Sequence, residues 1–207
     1  MEKPSDSVEQ TGTRRDDLAR LALGHFLERG FKGTSMSAIA RDAQMTKAAL
    51  YYHFASKEDL FVAAIAADTN EAIVELEAIA ADSGPAAERF AQALALSHAA
   101  VTQGSMGRLL MVIAQVGAEF PEVARSFHDK VIDRFRTALR RIYADAQEAG
   151  THRPLKPEDI EQIVFGPLLA NAITEQLTGG DPALRAQNLD NRGREDFVAM
   201  VERLTRV

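Results

Sequence analysis

The sequence contains no cysteine in 207 residues, and this absence excludes whole classes of chemistry. Without thiols there is no disulfide framework, no thiolate nucleophile and no cysteine ligand for a metal. The sequence also has no uncharged apolar run of about 18 residues, so we expect no membrane-spanning helix. Residues 1–13 are polar, which argues against a signal peptide. We therefore expect a cytoplasmic protein without a metal or another cofactor.

The alternation of β-branched and polar residues that is typical of strands is missing as well. Alanine, leucine, glutamate and arginine dominate, and 46% of the residues are apolar, which is enough for a core. The sequence thus predicts an all-α protein of about nine helices. Capping residues, glycines and prolines place them near residues 13–30, 36–43, 46–53, 56–81, 85–103, 106–118, 121–150, 157–178 and 193–206.

The net charge of −6 argues against nucleic acid as a partner of the whole surface, but the charge is unevenly distributed. Residues 61–207 carry 15 basic and 21 acidic side chains, whereas residues 1–60 carry 9 of each. Within residues 29–57 there are five basic groups and one acid. An acidic protein can therefore still present one small basic face, and this face lies in the N-terminal quarter.

The centre of that basic region is the stretch TKAALYYHF, residues 46–54, which holds two of the three tyrosines of the chain. Steps of about 100° per residue place Lys47, Tyr51 and Tyr52 on one side of a helix, together with Ala48. Leu50 falls on the opposite side. Two short helices joined by a tight turn form a helix-turn-helix, whose second helix enters the major groove of DNA. The alternative is that the two tyrosines merely cover the edge of a core.

Residues 30–61, GFKGTSMSAIARDAQMTKAALYYHFASKEDLF, resemble the DNA-binding domain of the TetR (tetracycline repressor) family of bacterial transcription regulators. The matching features are Gly30-Phe31, Thr34-Ser35, Ile39-Ala40, Ala43, Thr46-Lys47, Leu50-Tyr51, His53-Phe54 and Ser56-Lys57-Glu58. The resemblance implies DNA contacts from Ser35, Ser37, Lys47, Ala48, Ala49, Tyr51, Tyr52, His53 and Lys57. Gln44 departs from the pattern, since the family usually has glycine there. If residue 44 needs a positive φ, glutamine is strained.

The resemblance also implies two domains and a homodimer. We expect a disordered tail over residues 1–12, a helix-turn-helix domain over 13–60 and a helical ligand-binding and dimerisation domain over 61–207. The last two helices of such a regulator usually form the subunit interface. In the last one, an apolar stripe at positions i, i+3, i+4 and i+7 is the predicted seam, formed by Phe197, Met200, Val201 and Leu204. The alternative is that this stripe packs against the core of its own subunit.

The family implies a small effector that binds in the C-terminal domain and shifts the protein away from its DNA-binding state. The candidate lining residues are apolar, namely Phe90, Leu109, Leu110, Met111, Ile113, Phe127, Val131, Phe165 and Leu169. Met106 is a further candidate because methionine adapts to irregular ligands. Each of them could equally be ordinary core. The expected function is a repressor that a hydrophobic or aromatic ligand releases from a pseudo-palindromic DNA operator.

Other polar features point to no catalytic or metal site. His98, His128 and His152 lie on different segments without ligand spacing, so no metal is expected. Four arginines between residues 134 and 141 suggest a solvated helix face, in which Asp133 could pair with Arg136 or Arg140. Two other function classes remain open, an all-α enzyme and a helical adaptor for another protein. The sequence shows no phosphate-binding loop or nucleophile–base pair for the enzyme, and an adaptor would not need the basic region.

Overall fold

The computed structural model describes residues 6–178, 181, 183 and 193–207, with side chains from residue 14 onward. In this part of the chain the regular elements are helices. They are α1 (Asp6–Gly33), α2 (Met36–Asp42), α3 (Lys47–His53), α4 (Lys57–Ala81), α5 (Ala86–Thr102), α6 (Met106–Val116), α7 (Pro121–Phe127), a π-helical turn (His128–Ile132), α8 (Asp133–Glu148), α9 (Pro157–Leu177) and α10 (Arg194–Thr205). The predicted all-α class is confirmed.

The start of α1 differs from the prediction. We expected a disordered tail over residues 1–12 and a helix that begins near Thr13, but α1 already begins at Asp6. Between Asp6 and Thr13 no proline interrupts the chain, so nothing blocks the helix from extending past the expected cap. Residues 1–5 lie outside the described residues. Gly30 interrupts the helical conformation with φ 68° and ψ 173°, at the glycine where the sequence predicts the helix end.

The division into two units also differs from the predicted boundary at residues 60 and 61. Unit 1 comprises residues 1–68 and 112–130, and unit 2 comprises residues 69–111 and 131–207. The physical reason is twofold: α4 is continuous from Lys57 to Ala81, and the segment 112–130 packs into unit 1. A boundary placed along the sequence at a single position cannot describe this arrangement.

The core of unit 1 is built around a cluster of phenylalanines. Phe26 and Phe61 have ring centroids 4.7 Å apart, and Phe31 lies 5.3 Å from Phe61. Phe120, from the segment that returns to unit 1, packs 5.1 Å from Phe31. Such offset and tilted aromatic pairs stabilise by about 0.5–1.5 kcal/mol beyond the area that they bury. This core holds α1 against the start of α4.

The core of unit 2 contains buried polar groups as well as apolar ones. Phe90 packs against Tyr143 at 5.1 Å and against His152 at 4.9 Å, centroid to centroid. Arg89 is buried and donates through Nη2 to Asp145 at 2.7 Å, so its charge is compensated. These contacts join α5 to α8 and to the segment after it.

Candidate nucleic-acid interface and ligand cavity

Side-chain caps fix the first turns of α2 and α3, the two helices of the predicted helix-turn-helix. Ser35 accepts a hydrogen bond from Ala38 N at 3.2 Å, and Thr46 accepts one from Ala49 N at 3.1 Å. Each cap satisfies a backbone N–H that has no partner within the helix and typically contributes about 1 kcal/mol. Short helices such as α2 and α3 need this help because they are marginal on their own.

The turn between α2 and α3 requires a left-handed residue. Gln44 has φ 54°, and its N–H donates to Arg41 O at 3.0 Å while Met45 N donates to Ala40 O at 2.9 Å. Residue 44 therefore has a positive φ, which is the condition under which we expected glutamine to be strained. A residue with a Cβ in this conformation costs about 1–2 kcal/mol more than glycine, so the turn holds glutamine under strain.

Helix α3 has one buried side and one exposed side, as the helical wheel predicts. Leu50 is completely buried, whereas Tyr51 is 43% exposed and Tyr52 is 85% exposed. Lys47 and Ala48 are exposed beside them, and the Lys47 ammonium lies 5.8 Å from the centre of the Tyr51 ring. The structure therefore brings four of the predicted DNA-contacting residues together on one open face.

The other predicted DNA-contacting residues occupy the edges of that face. Ser35 and Ser37 are exposed, and Ala49 is half-buried. His53 is half-buried at the end of α3, where its carbonyl accepts a hydrogen bond from Arg15 Nε at 3.3 Å. Arg15 therefore anchors the end of α3 to α1, a role that the sequence did not suggest.

Lys57 has a structural role that sequence reasoning did not foresee. Its ammonium donates to Phe31 O at 2.9 Å and to Thr34 O at 3.1 Å, and it lies 4.3 Å from the centre of the Phe31 ring. The lysine thus satisfies carbonyls at the C-terminal end of α1. Two of the three donors of an ammonium group are used in this way, which leaves one for an external acceptor.

The predicted dimer stripe is divided by the fold, and two of its members must be corrected. Phe197 and Val201 are buried within the chain itself, and the Phe197 ring lies 5.5 Å from that of His98. They face α5, so they belong to the core of their own subunit, which was the alternative interpretation. Met200 is half-buried and Leu204 is 48% exposed. Ile173 and Leu177 of α9, which are also exposed, were not predicted.

Unit 2 encloses a small apolar cavity of about 90 Å³. Its walls come from α5, α6, the π-helical turn, α8 and α9. The lining residues are Ala100, Val101, Met106, Leu110, Val131, Ile132, Phe135, Arg136, Phe165 and Leu169. Four of the nine predicted ligand contacts are among them, namely Leu110, Val131, Phe165 and Leu169.

The remaining five predicted ligand contacts do not line this cavity. Phe90 and Leu109 are completely buried in the core. Met111, Ile113 and Phe127 are not among the residues that line the cavity. Apolar residues on helical segments carry the same sequence signal whether they fill a core or border a cavity, so the pattern could not separate them. Periodicity also gave no reason to select Phe135 or Arg136.

Glu161 of α9 organises part of the arginine cluster that the sequence suggested as a solvated face. Arg136 Nε lies 3.3 Å from one Glu161 oxygen, and Arg140 Nε contacts the other. Arg134 makes a two-bond fork to Glu77 at 2.9 and 2.7 Å. The carboxylate partners thus come from other helices and not from Asp133, because helix packing and not local spacing brings them within reach.

A second, polar pocket of about 240 Å³ also lies in unit 2. It shares Val101 with the apolar cavity, and its other lining residues are Thr102, Gly104, Gly107, Arg108, Asn171, Ala172, Glu175 and Gln176. On α9 the wall residues of cavity and pocket follow one another at helical spacing, from Phe165 and Leu169 to Ala172 and Gln176. The cavity and the pocket therefore lie one after the other along α9.

Within residues 6–178, 181, 183 and 193–207, no three histidine, aspartate or glutamate side chains group as metal ligands. No helix in these ranges is long and apolar enough to span a bilayer.

Two family models match the chain. Residues 20–64 match the family described as "Bacterial regulatory proteins, tetR family". Residues 88–203 match the "AefR-like transcriptional repressor, C-terminal domain". The first covers α2 and α3 with the second half of α1 and the start of α4, and the second covers more than half of the chain.

Curated relatives match over about a quarter of the chain. The HTH-type transcriptional repressor KstR2 of Mycolicibacterium smegmatis is 42% identical over 55 residues, which are 27% of this chain and 27% of that protein. The negative transcriptional regulator IcaR of the icaADBC biofilm operon of Staphylococcus aureus is 38% identical over 47 residues, 23% of this chain and 25% of that protein. The matches thus span about a quarter of the length of these relatives.

Solved structures share the fold over almost the whole chain. A TetR-family regulator from Mesorhizobium loti superposes with a TM-score of 0.73 at 19% identity, covering 94% of this chain and 98% of that one. FadR from Bacillus subtilis, in complex with stearoyl-CoA, gives 0.67 at 17% identity and covers 89% and 95%. KstR2 of Mycobacterium tuberculosis gives 0.65 at 21% identity and covers 94% and 95%.

Proposed function

Because this chain belongs to the TetR family of bacterial regulatory proteins, we propose that it is a homodimeric repressor which a small ligand releases from DNA. Its operator is a pseudo-palindromic duplex, and its effector is a small hydrophobic or aromatic molecule. As a regulator of the chromosome it acts in the cytoplasm. The repressor function is supported by relatives that are named a repressor or a negative regulator, although these matches span only about a quarter of the chain.

The observation that carries this proposal is the outer face of α3. Tyr51 and Tyr52 are exposed next to Lys47, on a helix whose opposite side is fixed by the buried Leu50. Adjacent exposed tyrosines are suited to an external partner that offers hydrogen-bond acceptors. Phosphate oxygens are such acceptors, and the tyrosine rings can cover the sugars next to them.

Within this face the residues have different proposed roles. Ala48 and Ala49 are small, which allows α3 to approach the bases and lets a methyl group contact a thymine methyl. Lys47 reaches a base acceptor or a phosphate. Ser35, Ser37, His53 and the third donor of Lys57 contact phosphates at the edges of the site. These contacts set the register of the protein on DNA, whereas α3 reads the sequence.

Binding to a pseudo-palindrome requires two recognition helices about 34–36 Å apart on one face of the duplex. We propose that α9 and α10 form the subunit interface that sets this spacing. The support is a group of exposed apolar side chains, with Leu177 73% and Ile173 43% exposed on α9 and Leu204 48% exposed on α10. A partner subunit would remove this apolar surface from water.

The apolar cavity of unit 2 is the proposed effector site. At about 90 Å³ it is smaller than the 300–1,000 Å³ typical of ligand pockets, so a larger effector extends into the adjoining polar pocket of about 240 Å³. The effector acts by binding the state without DNA affinity more tightly than the DNA-bound state. The ratio of these two affinities sets how strongly it releases the operator.

The test of DNA binding is fluorescence anisotropy with the purified protein and the duplex upstream of its own gene, at two or more salt concentrations. If the dimer neutralises about six phosphates, log K should fall with a slope near −5 against log salt. Tyr51→Ala should abolish the specific complex. If the folded protein prefers no duplex to bulk DNA, even after selection from random sequences, the proposal is wrong.

The test of the interface is sedimentation equilibrium of Leu177→Arg, which places a charge in the proposed apolar surface. The variant should dissociate to monomers with an unchanged helical circular dichroism spectrum. Val74→Arg is the control, because Val74 is also an exposed apolar side chain but lies on α4, outside the proposed interface. An unchanged dimer in Leu177→Arg would exclude α9 from the interface.

A further inference from the structure

We propose that the apolar cavity takes a monoanionic amphiphile, a small apolar body with one carboxylate that Arg136 binds. This inference rests on the proposed effector site and adds the charge of the ligand. Among the described residues, ten line the cavity; nine of them are apolar and Arg136 is charged. An entirely apolar effector would gain nothing from a guanidinium group in the wall.

The apolar walls define the body of the ligand. Phe135 and Phe165 form a T-shaped pair with ring centroids 5.3 Å apart, and Leu110 and Leu169 complete the surface next to them. Such walls hold alkyl or aromatic groups by removing their surface from water, which contributes about 25 cal/mol per Å² of buried apolar area. They offer no hydrogen bond to a polar body.

The charge balance next to the cavity favours an anion. Arg136 and Arg140 share the single carboxylate of Glu161, whose side chain is only 10% exposed. Because Arg140, which does not line the cavity, takes part of this carboxylate, Arg136 keeps part of its positive charge at the cavity wall. One carboxylate on the ligand would neutralise it, whereas a cation would be repelled and a dianion would leave an excess negative charge.

Arg136 also has an unused donor for this carboxylate. Its Nε is buried and has no hydrogen-bond partner in the described part of the chain, although it lies 3.3 Å from a Glu161 oxygen. The distance allows electrostatic attraction, but the N–H does not point along a hydrogen bond. A buried donor without an acceptor costs about 1–3 kcal/mol, and a turn of the guanidinium group toward a ligand oxygen in the cavity would remove this cost.

The π-helical turn before α8 contributes directly to the same wall. Val131 and Ile132, its last two residues, both line the cavity, and Phe135 and Arg136 follow one helical turn later. π-helical turns are rare and often occur at functional sites, because they bring side chains to positions that a regular α-helix cannot offer together. The π-helical turn and Arg136 thus border the same cavity.

The competing interpretation is that the methylene groups of Arg136 simply cover the cavity while its charge serves only Glu161. Arg140 separates the two, because it contacts the same carboxylate but does not line the cavity. The two methionine variants, Arg136→Met and Arg140→Met, remove the same charge from the same cluster and keep an apolar stem. The variants differ in position, because Arg136 lines the cavity and Arg140 does not.

The experiment is isothermal titration calorimetry of the full chain with octanoate and octan-1-ol at pH 8, where octanoate is ionised. The wild type should bind octanoate at least tenfold more tightly than octan-1-ol. Arg136→Met should lose about tenfold or more of the octanoate affinity, the loss expected for a charge-assisted hydrogen bond, with octan-1-ol changed less than threefold. Arg140→Met should change both by less than about threefold.

The inference is overturned by equal affinity for the two probes, by binding of neither, or by an equal loss in Arg140→Met. If Arg136→Met does not fold, the wild-type comparison decides, together with Leu110→Trp, which fills the cavity and should abolish binding of both probes. Operator affinity is measured for each variant without a probe. DNA binding without octanoate preference refutes this inference alone, and octanoate preference without DNA binding refutes only the regulator proposal.

Discussion

The aromatic side chains of α3 face outward, whereas those of unit 2 face inward. Tyr52 is almost fully exposed and Tyr51 partly so, while Phe90, Phe135 and Tyr143 are buried. The same residue types thus serve opposite purposes. An outward ring can meet only a partner from outside, and an inward ring either stabilises the fold or borders an internal space. The contrast agrees with the two proposed sites, one for DNA on the surface of α3 and one for a small ligand inside unit 2.

The lengths of the helices explain why the two regions can differ in this way. α3 has seven residues and, within this fully described helix, buries only Leu50, so its stability comes from its neighbours. Its outer face is then free to change without loss of the fold. α8 has sixteen residues, and six of them are buried, so nearly every change on its inner face alters packing.

Aromatic truncation should show this contrast with the largest effect. Phe135→Ala should lower the free energy of unfolding by about 3–5 kcal/mol, because it removes a buried ring that packs on Phe165. Tyr52→Ala should change it by less than about 0.5 kcal/mol, since an exposed ring loses few contacts. Urea denaturation followed by circular dichroism measures both. Similar losses in the two variants would remove the distinction between outward and inward rings.

The DNA affinity should respond in the opposite order. Tyr52→Ala should weaken binding to the operator by about 1–3 kcal/mol, because the ring and hydroxyl contact the duplex in the proposed complex. Anisotropy titration at fixed salt measures this loss. Val74→Ala, which also truncates an exposed apolar side chain, should leave the affinity unchanged. An unaffected Tyr52→Ala would show that Tyr52 is not part of the DNA interface.

A buried histidine should make the inward region sensitive to pH. Burial lowers the pKa of His152 below 6.5; the nearby Glu202 carboxylate opposes this shift and Arg206 adds to it. Well above pH 6.5 the histidine is neutral in both the folded and the unfolded chain, so its titration does not lower the free energy of unfolding. As the pH falls below 6.5, the unfolded chain takes up a proton that the folded chain refuses, so stability declines until the folded-state pKa is reached.

Thermal melts between pH 7.5 and 5 test this decline. Replacing the ring by His152→Gln should flatten the pH dependence even if the variant is less stable at pH 7.5. His128→Gln is the control, because His128 is exposed next to Asp129, and its melting temperatures should follow those of the wild type. A wild type that is equally stable at pH 7.5 and 5 contradicts the prediction.

The smallest expected effect concerns the turn of the helix-turn-helix. Gln44→Gly should stabilise the protein by about 0.5–1 kcal/mol, because relief of the left-handed strain exceeds the entropy that glycine adds to the unfolded chain. Gln103→Gly, at the end of α5 in a right-handed conformation, should instead destabilise it. A destabilised Gln44→Gly would show that the glutamine side chain contributes contacts that outweigh the strain.

The sequence predicted the helix-turn-helix well because the signals there are local. The Ser35 and Thr46 caps, the buried Leu50 and the need for a positive φ at Gln44 each depend on a few neighbouring residues. The helix boundaries were accurate to a few residues in most of the chain for the same reason. The predicted start of α1 near Thr13 was wrong because a residue that can cap a helix also fits inside a longer one, and α1 begins at Asp6.

The C-terminal site could be predicted only in part because it depends on packing between distant segments. Arg136 is paired by Glu161, 25 residues away along the chain, and no helical spacing indicates this. Phe197 and Val201 belong to the same apolar stripe as Leu204, yet they are buried within the chain and Leu204 is not. Periodicity identifies the apolar side of a helix but not the element that covers it.

The π-helical turn at residues 128–132 sets the angular phase of all the side chains that follow it in α8. Deletion of one residue there would let the chain continue as a regular α-helix and would turn those side chains by about 100° around the helix axis. A different set of residues would then face the cavity. If the cavity is the effector site, the loss of one codon would change the residues that meet the effector, while α3 and its proposed DNA contacts stayed unchanged.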